Sequence, residues 1–143
     1  TEVSAELVEA SVERNPHGRP VLVADDSSVA RKQVQRALEA IGVQCVLAKD
    51  GREALNMLLE MAKQGPILDQ IALVISDIEM PEMDGYTFTA EIRNNPNLKD
   101  LHVILHTSLS GVFNQAMVQK VGANNFIAKF QPDELAKAVQ GAL

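Results

Sequence analysis

Residues 71–85 of the chain read Ile-Ala-Leu-Val-Ile-Ser-Asp-Ile-Glu-Met-Pro-Glu-Met-Asp-Gly. The stretch opens as an unbroken apolar, β-branched run, which is typical of a strand buried on both faces of a parallel sheet. The run ends at Asp77, and Pro81 and Gly85 then predict a loop. An acid at the carboxyl end of a central parallel strand lies where open α/β sheets bind their ligands. We therefore expect Asp77 to be a nucleophile that accepts a phosphoryl group.

Similar apolar runs lie on both sides of this stretch and alternate with segments of helical periodicity. Strands are expected at 21–24, 43–48, 71–77, 103–105 and 125–128, and helices around 30–41, 54–61, 86–92, 113–121 and 132–139. Either Ser27 or Ser28 can cap the first of these helices. The alternation predicts a flavodoxin-like (βα)5 fold, a doubly wound five-stranded parallel sheet. The order 2-1-3-4-5 is taken from that known architecture.

The 143 residues suffice for about one domain, and 46% of them are hydrophobic. We assign residues 19–143 to one globular domain and residues 1–18 to a linker or a helical lead-in from an upstream domain. A net charge of −6 argues against non-specific nucleic-acid binding, and a single cysteine excludes an internal disulfide. No apolar run reaches the roughly 20 residues of a membrane span, so we expect a cytoplasmic protein without membrane insertion.

Polar side chains stand where four of the predicted strands end: Asp25 and Asp26, Asp77, Thr107, and Lys129. The four strands are neighbours in the order 2-1-3-4-5, so these groups are expected on one rim. Three carboxylates held close together repel one another, and a divalent cation relieves that repulsion. Because the set has oxygen ligands and lacks nearby His or Cys, it favours Mg²⁺ over zinc. Phosphoryl transfer needs mainly positioning and charge neutralisation, which such a set supplies.

Each of these residues alone has an ordinary explanation. An Asp after a strand is usually a helix cap, a lone Lys is usually solvated, and Thr is common in strands. The order acid-acid, acid, hydroxyl, lysine, with each group ending its own apolar strand, is what favours a functional site.

These segments resemble the signatures of the response-regulator receiver domain over about residues 19–142. The similar stretches are Val-Leu-Val-Ala-Asp-Asp-Ser at 21–27, residues 77–85, Leu-His-Thr-Ser at 105–108 and Phe-Ile-Ala-Lys at 126–129. Residues 105–114 and 128–130 are more closely similar to the receiver half of CheV-type chemotaxis coupling proteins. In that family a CheW-like domain precedes the receiver, which would account for a chain that starts at Thr1.

The resemblance implies that a histidine kinase phosphorylates Asp77, and that the kinase is of the CheA type if the narrower similarity holds. It implies that Asp26, Asp77 and the backbone carbonyl of Glu79 bind Mg²⁺, with Asp25 assisting through water. It also implies that Lys129 contacts the phosphoryl group.

The resemblance further implies a switch made of Thr107 and Phe126, although Phe126 also suits simple core packing. Thr107 would donate its hydroxyl to a phosphoryl oxygen and draw in the loop after the fourth strand. Ser108 is small and would leave space beside the phosphate. His106 points to the other face of the strand and is interpreted as structural.

Two positions depart from the family pattern. Phe130 follows Lys129 where a cis proline is common, so the peptide there is either trans and displaced or a strained cis bond. Glu79 adds a charge two residues after the nucleophile, and we expect it to control access of water to the acyl phosphate.

Four functions are compatible with such a site to different degrees. The first is a signalling switch that catalyses only its own phosphorylation and dephosphorylation and changes its surface from the fourth strand through the fifth helix. A phosphate-sink receiver has the same chemistry and cannot be separated from the switch by sequence. A haloacid-dehalogenase-type phosphatase is disfavoured because Met80 and Pro81 replace the hydroxyl expected further on. Flavin binding, the fourth function, is disfavoured because the sequence lacks a hydroxyl-rich loop for the flavin phosphate.

Overall fold

The computed structural model describes Ala5, Val8, Asn15 and residues 18–108 and 114–143. In these ranges five strands alternate with five α-helices. The strands are β1 Val21–Ala24, β2 Cys45–Ala48, β3 Leu73–Ser76, β4 Val103–Thr107 and β5 Asn125–Ala128. The helices are α1 Ser28–Glu39, α2 Gly51–Gln64, α3 Gly85–Asn94, α4 Gln115–Lys120 and α5 Pro132–Ala142, and a 3-10 turn covers Ile67–Asp69.

The five strands form one parallel sheet in the order β2-β1-β3-β4-β5. The predicted fold class and strand order are therefore confirmed. Register aligns the carboxyl ends, because Ala24 pairs with both Ala48 and Ser76, and Thr107 pairs with Ala128. The residues that follow these pairs emerge along a single edge of the sheet.

Strand β3 is buried along its whole length, as its apolar sequence predicts. Leu73 and Ile75 belong to the core that the sheet forms with α1 and α5, whereas Val74 belongs to the core on the opposite face, against α2 and α3. Helices therefore cover both faces, and the edge where the strands end is the natural place for a polar site.

Side-chain caps set the starts of the helices. The Ser27 hydroxyl accepts from the Ala30 amide at 3.2 Å, so Ser27 rather than Ser28 is the cap of α1. Asp50 and Asp84 cap α2 and α3 in the same way. The capped turns position the loops that precede them, and these include the loop after Asp77.

Sequence and structure differ mainly at element boundaries. Strand β2 begins at Cys45 rather than at residue 43 and is only half-buried before Ala48, as suits an edge strand. Strand β4 continues to Thr107, which the sequence placed just beyond the strand.

Phe113 and most of residues 1–18 lie outside the described residues. In the part that is described, no helix is long and apolar enough to cross a membrane.

Candidate functional site

Three carboxylates meet at the carboxyl edge of the sheet. Asp25 follows β1 directly, Asp26 is next to it, and Asp77 follows β3. One oxygen from each carboxylate lies within 4.8 Å of the other two. Asp25 and Asp77 are buried, whereas Asp26 is exposed. The three acids thus form a recess that opens to solvent on the Asp26 side.

Local hydrogen bonds fix the two buried acids. Asp25 Oδ1 accepts from the Ser27 amide at 2.9 Å, and the Asp25 carbonyl accepts from Arg31 Nη1 at 2.6 Å. Asp77 Oδ1 accepts from the Ile78 amide at 2.8 Å. The second oxygen of each carboxylate, Oδ2, is left to face the recess.

Lys129 enters the recess from the end of β5. Its Nζ lies 3.1 Å from Asp25 Oδ2 and 3.2 Å from Asp77 Oδ2. Its side chain is 13% exposed. Asp25 Oδ2 is buried and has no aligned hydrogen-bond donor among the described residues, so its contact with Lys129 is an ion pair rather than a well-aligned hydrogen bond.

Electrostatics in the recess make ionisation of Asp77 harder than is usual for an Asp when no metal is bound. Burial, and then the charge of Asp25, raise the pKa of Asp77 to about 6, although Lys129 and the Ile78 amide act in the opposite direction. Burial disfavours the charged ammonium of Lys129, but Asp25 and Asp77 outweigh it and raise the pKa of Lys129. The lysine thus stays charged, whereas the pKa of Asp77 is raised to about 6, so Asp77 takes up a proton at mildly acidic pH.

A divalent cation suits this arrangement. Three ionised carboxylates and one ammonium leave an excess of two negative charges, which one Mg²⁺ neutralises. All the side-chain donors are hard oxygens, which Mg²⁺ prefers, and Asp26 opens to solvent where the ion can keep some of its water. The residues present therefore fit the predicted ion.

The remaining predicted residues surround the recess. Thr107 is buried at the end of β4, and its carbonyl accepts from the Lys129 amide at 2.7 Å. Ser108 follows it and is exposed, and the Glu79 side chain is also exposed. Phe126 is half-buried against Ile78, Leu105 and Val118, so it has the packing role that the sequence left open.

The structure resolves the geometry after Lys129. No cis peptide bond occurs among the described residues, so the Lys129–Phe130 bond is trans. Phe130 has φ 64°, in the left-handed region that non-glycine residues rarely adopt, and 64% of its surface is exposed. At the position where the family pattern has a cis proline, this chain thus has a trans peptide followed by a residue with positive φ.

The sequence did not predict two polar contacts, one at the site and one at the start of α4. Arg31 holds the Asp25 carbonyl from α1, six residues downstream. Tyr86, in the first turn of α3, accepts from the Asn114 amide at 2.8 Å and donates to the Asn114 carbonyl at 3.3 Å. The sequence hints weakly at the Arg31 contact, because Arg31 lies on the helix that Ser27 caps and is only six residues from Asp25. The Tyr86 contact spans 28 residues and has no sequence signal.

Comparison with known families agrees with this geometry. Residues 21–140 match the family model of the response regulator receiver domain. Protein PilG of Pseudomonas aeruginosa is 31% identical over 130 residues, which cover 90% of this chain and 90% of that protein. Chemotaxis protein CheV1 of Helicobacter pylori is 31% identical over 120 residues, which cover 84% of this chain. The alignment covers 36% of CheV1, and a similar one covers 40% of CheV3 from the same organism.

Solved structures agree as well. The chemotaxis protein CheY4 of Vibrio cholerae superposes with a TM-score of 0.72 at 30% identity, covering 87% of this chain and 98% of that one.

Proposed function

Because the chain belongs to the response regulator receiver domain family, of the kind found in two-component and chemotaxis signalling, we propose that it is a switch phosphorylated on Asp77. In the proposed reaction an Asp77 carboxylate oxygen attacks the phosphorus of a phosphohistidine on a kinase. A P–O bond forms as the P–N bond breaks, and the histidine nitrogen takes up a proton. The product is an acyl phosphate, which water later hydrolyses.

The observation that carries this proposal is the pairing of Lys129 with both buried acids. Nζ lies 3.1 Å from Asp25 and 3.2 Å from Asp77, at the open edge of a parallel sheet. An ammonium at that distance from the nucleophile is placed to contact a phosphoryl oxygen after transfer. A structural ion pair would need one acid, whereas a lysine paired with two acids, with a third carboxylate close to both, favours a site that binds a cation and an anion together.

Asp26, Asp77 and the backbone carbonyl of Glu79 are proposed to hold Mg²⁺, with Asp25 assisting through water. The ion would screen the acids from the incoming phosphate and lower the effective pKa of Asp77, which is raised to about 6 in its absence. Asp77 would then be fully ionised near neutral pH, as a nucleophile must be.

Thr107 and Phe126 are proposed to transmit the modification. The Thr107 hydroxyl would donate to a phosphoryl oxygen, and the small Ser108 beside it would leave room for the phosphate. Phe126 lies half-buried in the cluster below this loop, where a shift of β4 would change its packing. The surface formed by β4, α4, β5 and α5 would change as a consequence and present a new face to a partner.

The phosphodonor is proposed to be a histidine kinase, of the CheA type given the similarity to chemotaxis proteins CheV1 and CheV3. The receiver unit would span residues 19–143, with residues 1–18 leading in from a CheW-like domain in a longer chain. We expect a cytoplasmic location and no nucleic-acid partner, and the domain would turn over only its own phosphoryl group. A phosphate sink remains the second candidate, because its site chemistry is identical.

The test is incorporation of labelled phosphate from acetyl phosphate. The wild-type domain should take up no more than one group per chain in Mg²⁺ and almost none in EDTA. Asp77→Asn should not be labelled, whereas Asp84→Asn, which changes an exposed helix cap, should be labelled like wild type. Equal labelling of Asp77→Asn and wild type would refute the assignment, and multiple turnover of a phosphate monoester would favour a phosphatase.

A further inference from the structure

The turn that leads from β2 into α2 touches both sides of the recess. On one side, the Asp25 amide donates to the Ala48 carbonyl at 3.1 Å, where β2 ends. On the other side, Gly51, the first residue of α2, lies against the backbone of Met83 in the loop that follows Asp77. Residues 48–51 therefore connect the end of β1 to the loop after β3.

The contact between Gly51 and Met83 leaves no room for a side chain on Gly51. A Cβ placed there would collide with the Met83 carbonyl oxygen and lie 3.1 Å from the Met83 carbonyl carbon. Gly51 does not have a positive φ, so it is this contact, rather than the backbone conformation, that excludes a side chain. Both atoms of Met83 belong to the backbone, so a side chain at residue 51 would fit only if the loop itself moved.

The loop is strained next to this contact. Glu82 has φ 67°, in the left-handed region that non-glycine residues rarely adopt. The Met83 amide donates to the Pro81 carbonyl at 2.7 Å, which closes a three-residue turn around Glu82. Because the Glu82 side chain is exposed, the packing of the neighbouring residues must hold this conformation.

Met83 supplies that packing. Its side chain is buried in the core that the sheet forms with α2 and α3, and its backbone rests on Gly51. The Gly85 amide closes the base of the loop by donating to the Ile78 carbonyl at 2.7 Å. The position of the loop therefore depends on where α2 begins.

Hydrogen bonds fix the start of α2 in turn. The carboxylate of Asp50, which is 6% exposed, accepts from the Glu53 amide at 2.8 Å. Glu53 Oε1 accepts from the Lys49 amide at 3.2 Å. These two bonds join the turn to the first residues of the helix. The surface that Gly51 presents to Met83 is thus held in place relative to β2 and, through Ala48, relative to Asp25.

We propose that Gly51 is a positioning residue for the metal site, because it sets the distance between the loop after β3 and the acids at the end of β1. The inference rests on the proposed function, in which Asp26 comes from one side of this gap and the Glu79 carbonyl from the other. Asp26, Asp50 and Glu82 line one groove beside the recess, so the turn, the acid and the loop are neighbours.

A spacing of this kind discriminates between cations. Mg²⁺ requires nearly octahedral oxygen ligands at about 2.0–2.1 Å, whereas Ca²⁺ accepts about six to eight oxygen ligands at about 2.3–2.6 Å in a flexible geometry. Displacement of the loop would therefore lower the affinity for Mg²⁺ more than the affinity for Ca²⁺. A substitution that only loosened the fold would weaken the binding of both ions alike.

Gly51→Ala tests the proposal in NMR titrations of the metal-free domain with MgCl₂ and with CaCl₂. The dissociation constant for Mg²⁺ should rise about tenfold, whereas that for Ca²⁺ should change less than about threefold. Gly141→Ala is the matched control, because its Cβ would meet no atom within 4 Å, and it should leave both constants unchanged. Before metal is added, the amide shifts of Gly51→Ala should differ from those of wild type most strongly at residues 79–83.

A second pair of variants acts on the same turn without adding a side chain to the contact. Asp50→Ala removes both the helix cap and its charge, whereas Asp50→Asn removes the charge and keeps a cap. Only Asp50→Ala should reduce the preference for Mg²⁺ over Ca²⁺, by a few-fold. This pair tests the proposal even if Gly51→Ala does not fold.

Two results would overturn the proposal. If wild type binds Mg²⁺ and the ratio of the two dissociation constants is the same in Gly51→Ala, the positioning role is wrong and the proposed function stands. If wild type does not bind Mg²⁺, the metal site itself is absent, and the metal-dependent part of the proposed function fails together with the role of Gly51.

Discussion

At the scale of single residues, ionisation of Asp77 lowers the stability of the folded domain. Its carboxylate is buried beside Asp25, and folding raises its pKa from 3.8 to about 6. A group whose pKa rises on folding contributes stability that is fully present below about pH 4 and lost as the pH passes 6. In the proposed function, this loss of stability accompanies a nucleophile that a bound cation would activate.

We predict that Asp77→Asn stabilises the domain at pH 8 in EDTA. The variant removes a buried charge and leaves Lys129 paired with Asp25, so the expected gain in the free energy of unfolding is about 1–2 kcal/mol. At pH 4 the gain should vanish, because Asp77 is then protonated in the folded wild type. Urea denaturation at both pH values measures this.

Asp84→Asn serves as the control for this prediction. Asn caps a helix about as well as Asp, so its free energy of unfolding should stay within about 0.5 kcal/mol of wild type at both pH values. Identical urea midpoints for Asp77→Asn and wild type at pH 8 would contradict the electrostatic account of the recess.

Glu79 is predicted to slow hydrolysis of the acyl phosphate. Its side chain is exposed two residues after Asp77, where a negative charge repels hydroxide-like attack. A unit charge at roughly 6 Å in water contributes about 0.7 kcal/mol, so Glu79→Ala should shorten the phosphate half-life about threefold. Glu79→Gln keeps the size of the side chain and should behave like Ala. Half-lives equal to wild type in both variants would refute the role.

At the scale of secondary-structure elements, the start of α3 packs directly on the backbone of Asp77 and Ile78. A Cβ placed on Gly85 would collide with the Asp77 carbonyl oxygen and lie 2.9 Å from Ile78 Cα. The Gly85 amide also donates to the Ile78 carbonyl at 2.7 Å. The position of Asp77 therefore depends on the absence of a side chain at residue 85.

Gly85→Ala is predicted to lower the free energy of unfolding by about 2–3 kcal/mol, since neither neighbouring backbone group can move freely. Gly141→Ala, in α5, is the matched control. Its new Cβ would meet no atom within 4 Å, so it should be neutral or stabilising by up to about 1 kcal/mol. Thermal denaturation of both variants decides this, and equal effects would show that the close contact has no energetic consequence.

Helix α4 is short, and residues of α3 hold both of its ends. Tyr86 bonds to Asn114, the cap of α4, and Arg93 donates to the Gly122 carbonyl and to Asn124 Oδ1 beyond its other end. The position of α4 therefore follows that of α3.

Tyr86→Phe is predicted to loosen the start of α4. It removes two hydrogen bonds that together contribute about 1–2 kcal/mol, so amide exchange in the first turn of α4 should accelerate about tenfold. Exchange in α2 should not change. Mass-spectrometric hydrogen exchange measures both helices, and unchanged protection of α4 would mean that the Tyr86 contact does not hold it.

At the scale of the whole molecule, the sequence predicts the sheet well because buried parallel strands need continuous apolar runs. Register carries Asp25, Asp77 and Lys129 to one edge, so the strand endings, together with a strand order taken from a known architecture, were enough to predict that they meet. The sequence could not predict contacts set by packing between helices. One example is the Tyr86–Asn114 pair.

The sequence also could not predict the geometry of the Lys129–Phe130 peptide. A trans bond with a displaced loop and a strained cis bond were both compatible with Phe130, because the surrounding fold decides between them. The structure has the trans form with φ 64°. Strand β2 starts at Cys45, two residues later than the apolar pattern predicts, because Val43 is buried in the core but precedes the residues that pair with β1.

The most direct measurement is the chemical location of the phosphoryl group. The domain would be incubated with acetyl phosphate and Mg²⁺, reduced with borohydride to convert an acyl phosphate to an alcohol, and digested for peptide mass spectrometry. Conversion confined to Asp77 is the predicted result. Conversion at Asp25, Asp26 or any other acid, with Asp77 unmodified, would contradict the account.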